Sequence, residues 1–228
     1  PQGTGPLLDW VAGQTSVRLA GVYTHFASAD TDATFTRTQL DQLLAVRGDV
    51  TRRGFRDVLF HAANSAGAVS LPDSRLDVVR VGIGLYGLPT VALPAPLEPV
   101  LTWRTSIVFQ KRVPAGTPIS YGRSWSTAVE SDIATLPVGY ADGVPRAVAG
   151  KAMVLVKGQR RPVVGRITMD HVMVDVTGTN SGVGDDVVLI GRQNGESITA
   201  ADWAAWAGTI SYEILTGISK RVPRVVTK

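Results

Sequence analysis

Four prolines, Pro89, Pro94, Pro96 and Pro99, fall within one short stretch near the middle of the chain. Proline fixes φ and donates no backbone hydrogen bond, so such a stretch neither continues a helix nor enters the centre of a sheet. It separates two folding patterns. Before it, residues 17–23, 57–61 and 76–82 read as short apolar strands. Between the first two, Phe35, Leu40, Leu43, Leu44 and Val50 fall near helical spacing. Alternation of strand and helix is the signature of βα units around a parallel sheet. Three strands do not close a barrel, which takes eight, and a partial barrel leaves apolar edges facing water. After the proline stretch come closely spaced strands with turn signals: Leu101–Val113, Met153–Val156, His171–Val176 and Val187–Ile190. One helix interrupts them, where Thr199 as N-cap and Asp202 at the third position form a capping-box pattern ahead of Trp203 and Trp206. The expected organisation is an α/β part over residues 1–92 and a mainly β-strand domain over residues 93–228.

Composition narrows the function. A chain of 228 residues holds one or two domains. Its 44% hydrophobic and 18% charged content supports a packed core and argues against disorder. The net charge of +4 reads as ordinary surface charge. No basic run interleaved with aromatics suggests nucleic-acid binding. Without cysteine, disulfides, thiol nucleophiles and thiolate metal sites are excluded. His25, His61 and His171 lack metal-ligand spacing, so no metal site is expected. No apolar run reaches the length of a membrane span, and the first residues do not resemble a signal peptide. A soluble cytoplasmic protein is the expectation.

Six segments carry the chemistry. They are Tyr23-Thr24-His25-Phe26-Ala27, His61-Ala62-Ala63-Asn64-Ser65 and Val79-Arg80-Val81-Gly82-Ile83-Gly84-Leu85-Tyr86-Gly87, followed by Pro118-Ile119-Ser120-Tyr121-Gly122, Leu136-Pro137-Val138-Gly139-Tyr140-Ala141-Asp142-Gly143 and Val164-Gly165-Arg166-Ile167-Thr168-Met169-Asp170. In this order, from about Val17 to the end, they closely resemble the C-terminal two thirds of alanine racemase. The resemblance implies the C-terminal part of a (β/α)8 barrel followed by a β domain. It also implies pyridoxal 5'-phosphate as cofactor, alanine as substrate, and a homodimer with shared active sites that supplies D-alanine for peptidoglycan.

The family begins with a strand bearing the Schiff-base lysine in a Val-Val-Lys-Ala-Asx-Ala-Tyr-Gly-His-Gly stretch. None of Lys111, Lys151, Lys157, Lys220 and Lys228 has that context. The chain is therefore expected to be most of an enzyme lacking its N-terminal part, inactive alone, with the missing segment as a second chain, a proteolytic product or an omitted piece.

The residues themselves admit plainer readings, and the resemblance sharpens each. A tyrosine in a Gly-flanked turn is ordinary packing; the resemblance makes Tyr121 the base for one enantiomer. Inverting a carbon takes a base on each face, and a phenol with an ordinary pKa near 10 needs a positive neighbour to serve near neutral pH. Ser65 is a loop serine, yet a hydroxyl and the backbone N–H groups of Gly82 and Ile83 suit a phosphate. Arg80 in an apolar strand is ordinarily an ion-paired structural residue; its family counterpart points at the pyridine nitrogen. His25 is either a core histidine or a group orienting the cofactor ring beside Arg80. Met169 and Asp170 match positions at the substrate carboxylate, Tyr212 one reaching the cofactor phosphate, and Tyr140 one narrowing the entrance. Asp30 and Arg146 match entrance positions, but solvated surface charges are the better reading of both. Two alternatives stand: a non-catalytic module that binds the cofactor phosphate or a partner, and a different enzyme on this barrel, such as a serine racemase or a decarboxylase.

Overall fold

A computed structural model describes residues 3–93 and 95–227, so Pro1, Gln2, Pro94 of the proline stretch and Lys228 lie outside the described residues. The chain divides into two units, residues 1–100 and 101–228.

In the first unit, helix α1 (Thr4–Ala12) precedes strand β1 (Gly21–Tyr23). Helix α2 (Ala33–Arg52) follows, then strand β2 (Leu59–His61) and helix α3 (Ser65–Ser70). Strands β1 and β2 pair in parallel, with Tyr23 opposite His61. A parallel pair needs a crossover, and α2 is that crossover. The Asp32 carboxylate caps it, accepting from the Phe35 N–H at 2.8 Å. Leu40, Leu43, Val46 and Val50 form its buried stripe, against Phe26, Phe60 and Ala66. Full burial of each such side chain contributes about 1.5–3 kcal/mol. Phe35 and Leu44 do not belong to that stripe; both are exposed on its flanks.

The expected third strand, residues 76–82, is not one. Leu76 adopts a φ of +46°, which breaks the extended run. Only isolated backbone bonds tie the segment to its neighbours: the Asp77 N–H to the Phe60 carbonyl at 3.0 Å and the Arg80 N–H to that of Ala63 at 2.8 Å. The Asp77 carboxylate takes the Phe60 N–H at 2.7 Å, a bond a backbone ladder would otherwise make.

The second unit is built on one antiparallel sheet. Its strands are β3 (Trp103–Ser106), β4 (Phe109–Val113), β7 (Ser131–Leu136), β8 (Met153–Val156), β9 (Gln159–Val164), β10 (Val172–Asp175), β11 (Asp186–Gln193) and β12 (Glu196–Ile198). Their order is β12-β11-β8-β9-β10-β7-β4, with β3 also on β11. A two-stranded ribbon, β5 (Pro118–Ile119) and β6 (Trp125–Ser126), stands apart from it. The expected strand over 101–113 is thus two, interrupted by the buried Ile107.

Helices α4 (Ala200–Ala207) and α5 (Ser211–Gly217) complete the unit. The capping box of α4 forms as the sequence indicates: Thr199 and Asp202 each accept the other's backbone N–H. Trp203 is fully buried, and its indole N–H donates to the Leu189 carbonyl at 2.6 Å, fastening the helix to β11. The chain is α/β followed by all-β. No helix of the described residues is long and apolar enough to cross a membrane.

Candidate active site

The candidate residues fall into two groups, one on each unit. In the first unit, parallel pairing brings the ends of β1 and β2 together, so the Tyr23 and His61 rings stack with centroids 5.2 Å apart. Arg80 enters beside them. Its guanidinium donates to the carbonyls of Thr24 at 2.8 Å and Ala62 at 3.0 Å. It lies 2.5 Å from His61 Nδ1 and 3.4 Å from His25 Nδ1, and 5.3 Å from the centre of the Tyr23 ring.

Guanidinium has donors only, so His61 Nδ1 facing it must be the accepting nitrogen, which leaves that ring's proton on Nε2. Burial, and then the Arg80 charge, push the His61 pKa below its ordinary value, in keeping with a neutral ring. Among the described residues no carboxylate pairs with Arg80, so the ion-paired structural reading does not describe it.

Ser65 opens α3 immediately after β2. Its Oγ accepts the Gly82 N–H at 3.0 Å and the Gly84 N–H at 3.2 Å. With its lone pairs so engaged, the hydroxyl proton is left to donate. Ile83 begins a short 3-10 turn, where leading N–H groups have no intrahelical partner. A side chain at Gly82 would meet nothing within 4 Å, so the space beside this backbone is open. Ser65, Gly82, Ile83, Arg80 and His25 thus share one neighbourhood, a donor set suited to a phosphate and an aromatic nitrogen.

In the second unit, Tyr121 projects from a strained turn. Ser120 adopts φ 64° and ψ −175°, a region nearly restricted to glycine, at a cost of about 1–3 kcal/mol. Gly122 has φ 72°, and a side chain there would run into the Arg166 guanidinium. The turn is held by the Ser120 hydroxyl, which donates to the Arg166 carbonyl at 2.8 Å. Tyr121 itself is 73% exposed, which removes the packing explanation for it.

Tyr121, Tyr140, Met169 and Asp170 line one cleft of about 500 Å³, together with Arg146 and Arg166. Two loops shape it. The Tyr140 N–H donates to the Thr168 carbonyl and the Ala141 N–H to that of Met169, each at 3.0 Å, and Gly139 has no side chain to hold the loops apart. Within the second loop the Thr168 hydroxyl accepts the His171 N–H at 3.0 Å. Tyr212 sits in the first turn of α5, half-exposed, and is not among the residues lining this cleft. Asp30 is exposed in the first unit. No group of three His, Asp or Glu among the described residues gathers as metal ligands do.

Sequence reasoning missed His61, Arg166 and Arg221 as parts of these sites. His61 and Arg166 lie inside recognised segments, and their positions at a strand end and a turn were the available signal. Arg221 lies in none of those segments. It pairs with Asp170 at 2.8 Å and Asp142 at 3.4 Å. The hydrogen bond it donates to Asp170, and then the charge of Asp142, hold its guanidinium pKa above the ordinary value.

Family comparison decides what these groups belong to. The family model for "Alanine racemase, N-terminal domain" matches residues 4–90, and that for "Alanine racemase, C-terminal domain" matches residues 100–226. This chain belongs to the alanine racemase family. An alanine racemase from Symbiobacterium thermophilum is 48% identical over 229 residues, covering 98% of this chain and 61% of that relative. One from Chlorobaculum tepidum is 44% identical, covering 99% and 59%. Among solved structures, alanine racemase from Streptomyces coelicolor superposes with a TM-score of 0.90 at 38% identity, covering 99% of this chain and 61% of that one. Alanine racemase from Bacillus anthracis with bound L-Ala-P gives 0.90 at 39% identity, covering 97% and 58%. The chain spans about 60% of the length of the alanine racemases it matches.

Proposed function

We propose that this chain forms part of an alanine racemase, interconverting L- and D-alanine with pyridoxal 5'-phosphate and supplying D-alanine for peptidoglycan in the cytoplasm. The observation that carries this reading is the cleft on which Tyr121, Tyr140, Met169 and Asp170 converge. Residues 1–92 would hold the cofactor, and residues 93–228 would bring the tyrosine and the substrate site.

When bound, the cofactor withdraws electrons from the substrate α-carbon and acidifies its proton. The chain's own residues do the rest. Ser65 would donate its hydroxyl to the cofactor phosphate, joined by the backbone N–H of Ile83 and by the Tyr212 hydroxyl, while the Gly82 N–H holds the Ser65 oxygen and its bare backbone leaves room for the anion. Arg80 would face the pyridine nitrogen. Guanidinium carries donors only and keeps its proton, and its contacts with carbonyls and imidazole nitrogens leave no acid beside it to protonate the ring. An unprotonated ring would be the weaker electron sink, which would favour racemisation over side reactions such as transamination. His25 would orient the ring. The Met169 N–H and the Asp170 loop would seat the alanine carboxylate, and Tyr140 would narrow the entrance.

Tyr121 Oη would take or return the α-proton on one face, with Arg166 supplying positive charge next to its turn. The other face needs a second base, the Schiff-base lysine, which no lysine of this sequence matches. Two copies would share each site, the β unit of one meeting the cofactor-binding unit of the other, as a closed two-fold pair allows.

Chiral chromatography of alanine tests the reading. A complete protein of the relatives' length, loaded with pyridoxal phosphate, should convert either enantiomer to an equal mixture. This chain alone should not, and borohydride should trap no cofactor specifically on it. Inactivity of the loaded complete protein would favour the non-catalytic binding module instead.

A further inference from the structure

We propose that Arg221 is a positioning residue that keeps the negative charge of Asp170 from opposing the substrate carboxylate. The inference rests on the cleft's reading as a carboxylate site and adds a residue that the recognised motifs do not contain. Asp170 lines the cleft, and an unopposed carboxylate there would repel an anionic ligand. Arg221 Nη2 bonds Asp170 Oδ1 at 2.8 Å, while its Nε lies 3.4 Å from Asp142 Oδ1.

Asp142 is the fixed end of this arrangement. It is buried, its Oδ2 accepts the Gly139 N–H at 2.9 Å, and its carbonyl accepts the Ser219 N–H at 3.0 Å. One guanidinium therefore joins the loop bearing Tyr140, the loop bearing Met169 and Asp170, and the C-terminal segment after α5. A planar fork with several fixed donors can span two carboxylates in this way. The Arg221 and Asp170 side chains are 55% and 47% exposed. Exposed pairs contribute little to stability, whereas charge compensation beside a ligand acts directly on that ligand. The arrangement thus bears on binding more than on folding.

The test uses propionate, a carboxylate without an amine, as a competitive inhibitor of the complete racemase. Arg221→Gln removes the charge with a side chain of polar character. Its propionate Ki should rise by about threefold to tenfold, as expected for one charge acting through partly screened surroundings. KM for alanine should rise in parallel, with kcat changed less. Raising salt to 1 M, where the screening length is about 3 Å, should shrink the difference in Ki.

Arg221→Lys, which retains the charge, should restore Ki to within about twofold. In an Asp170→Asn background the Arg221→Gln change should lose most of its effect, because the charge it compensates is gone. An unchanged Ki in Arg221→Gln overturns the proposal while leaving the site reading intact. So does a loss of equal size in the Asp170→Asn background. If Arg221→Gln does not fold, the Lys variant decides: a tenfold loss of propionate affinity in it overturns the proposal. Failure of propionate to compete in the parent enzyme overturns the carboxylate-site reading and the proposal with it.

Discussion

A methyl group at Gly139 would sit 2.3 Å from the Met169 carbonyl oxygen and 2.4 Å from that of Thr168. Both obstacles are backbone, so neither can swing aside, and relief requires the two loops of the cleft to separate. Gly139→Ala should therefore destabilise the β unit by about 1–3 kcal/mol, the usual range for overpacking. Urea unfolding checks this, with Gly182→Ala as the control: a side chain at Gly182 meets nothing within 4 Å, and changes that disturb no packing stay within about 0.5 kcal/mol. Equal midpoints for both variants would mean the loops have slack. Residues of this sort were only partly legible. Gly139 and Tyr140 stood in a recognised segment, but the reason for the glycine lies in a loop some thirty positions onward. Arg221 had no local signal at all, because the carboxylates that give it meaning are far away in sequence and close only after folding.

At the scale of elements, local chemistry was legible and relational chemistry was not. Thr199 and Asp202 are three residues apart, and their capping box forms. Removing it by Thr199→Ala should cost about 0.5–2 kcal/mol. Because α4 carries the fully buried Trp203 beside Trp103 and Trp206, loosening should appear as a shift in tryptophan emission together with a lower urea midpoint. A variant matching the parent in both would contradict the assigned role of the cap. Residues 76–82 show the opposite case. Leu76, Val78, Val79 and Val81 have strand composition, yet strand formation depends on a partner ladder. Here Leu76 turns the backbone away and the Asp77 carboxylate occupies a ladder donor. Val78 and Val79 remain exposed. Helix α2 lies between: its period was legible, but only packing distinguishes the buried Val46 from the exposed Leu44.

For the whole molecule, the division of labour is the central point. The first unit gathers Ser65, held by the Gly82 N–H and followed by the turn at Ile83, and Arg80 with two histidines. The second unit gathers an exposed tyrosine and an open cleft. The sequence made both groups legible through ordered segments, whereas a single motif would have left Tyr121 as a packed aromatic. The most direct measurement is α-proton exchange in deuterium oxide, using the complete racemase with Tyr121→Phe and following L- and D-alanine separately. The account predicts that exchange falls by roughly 10²–10⁴-fold from one enantiomer, persists largely from the other, and leaves cofactor binding nearly intact. Small, equal losses from both enantiomers would contradict it and return Tyr121 to a role in shaping the cleft.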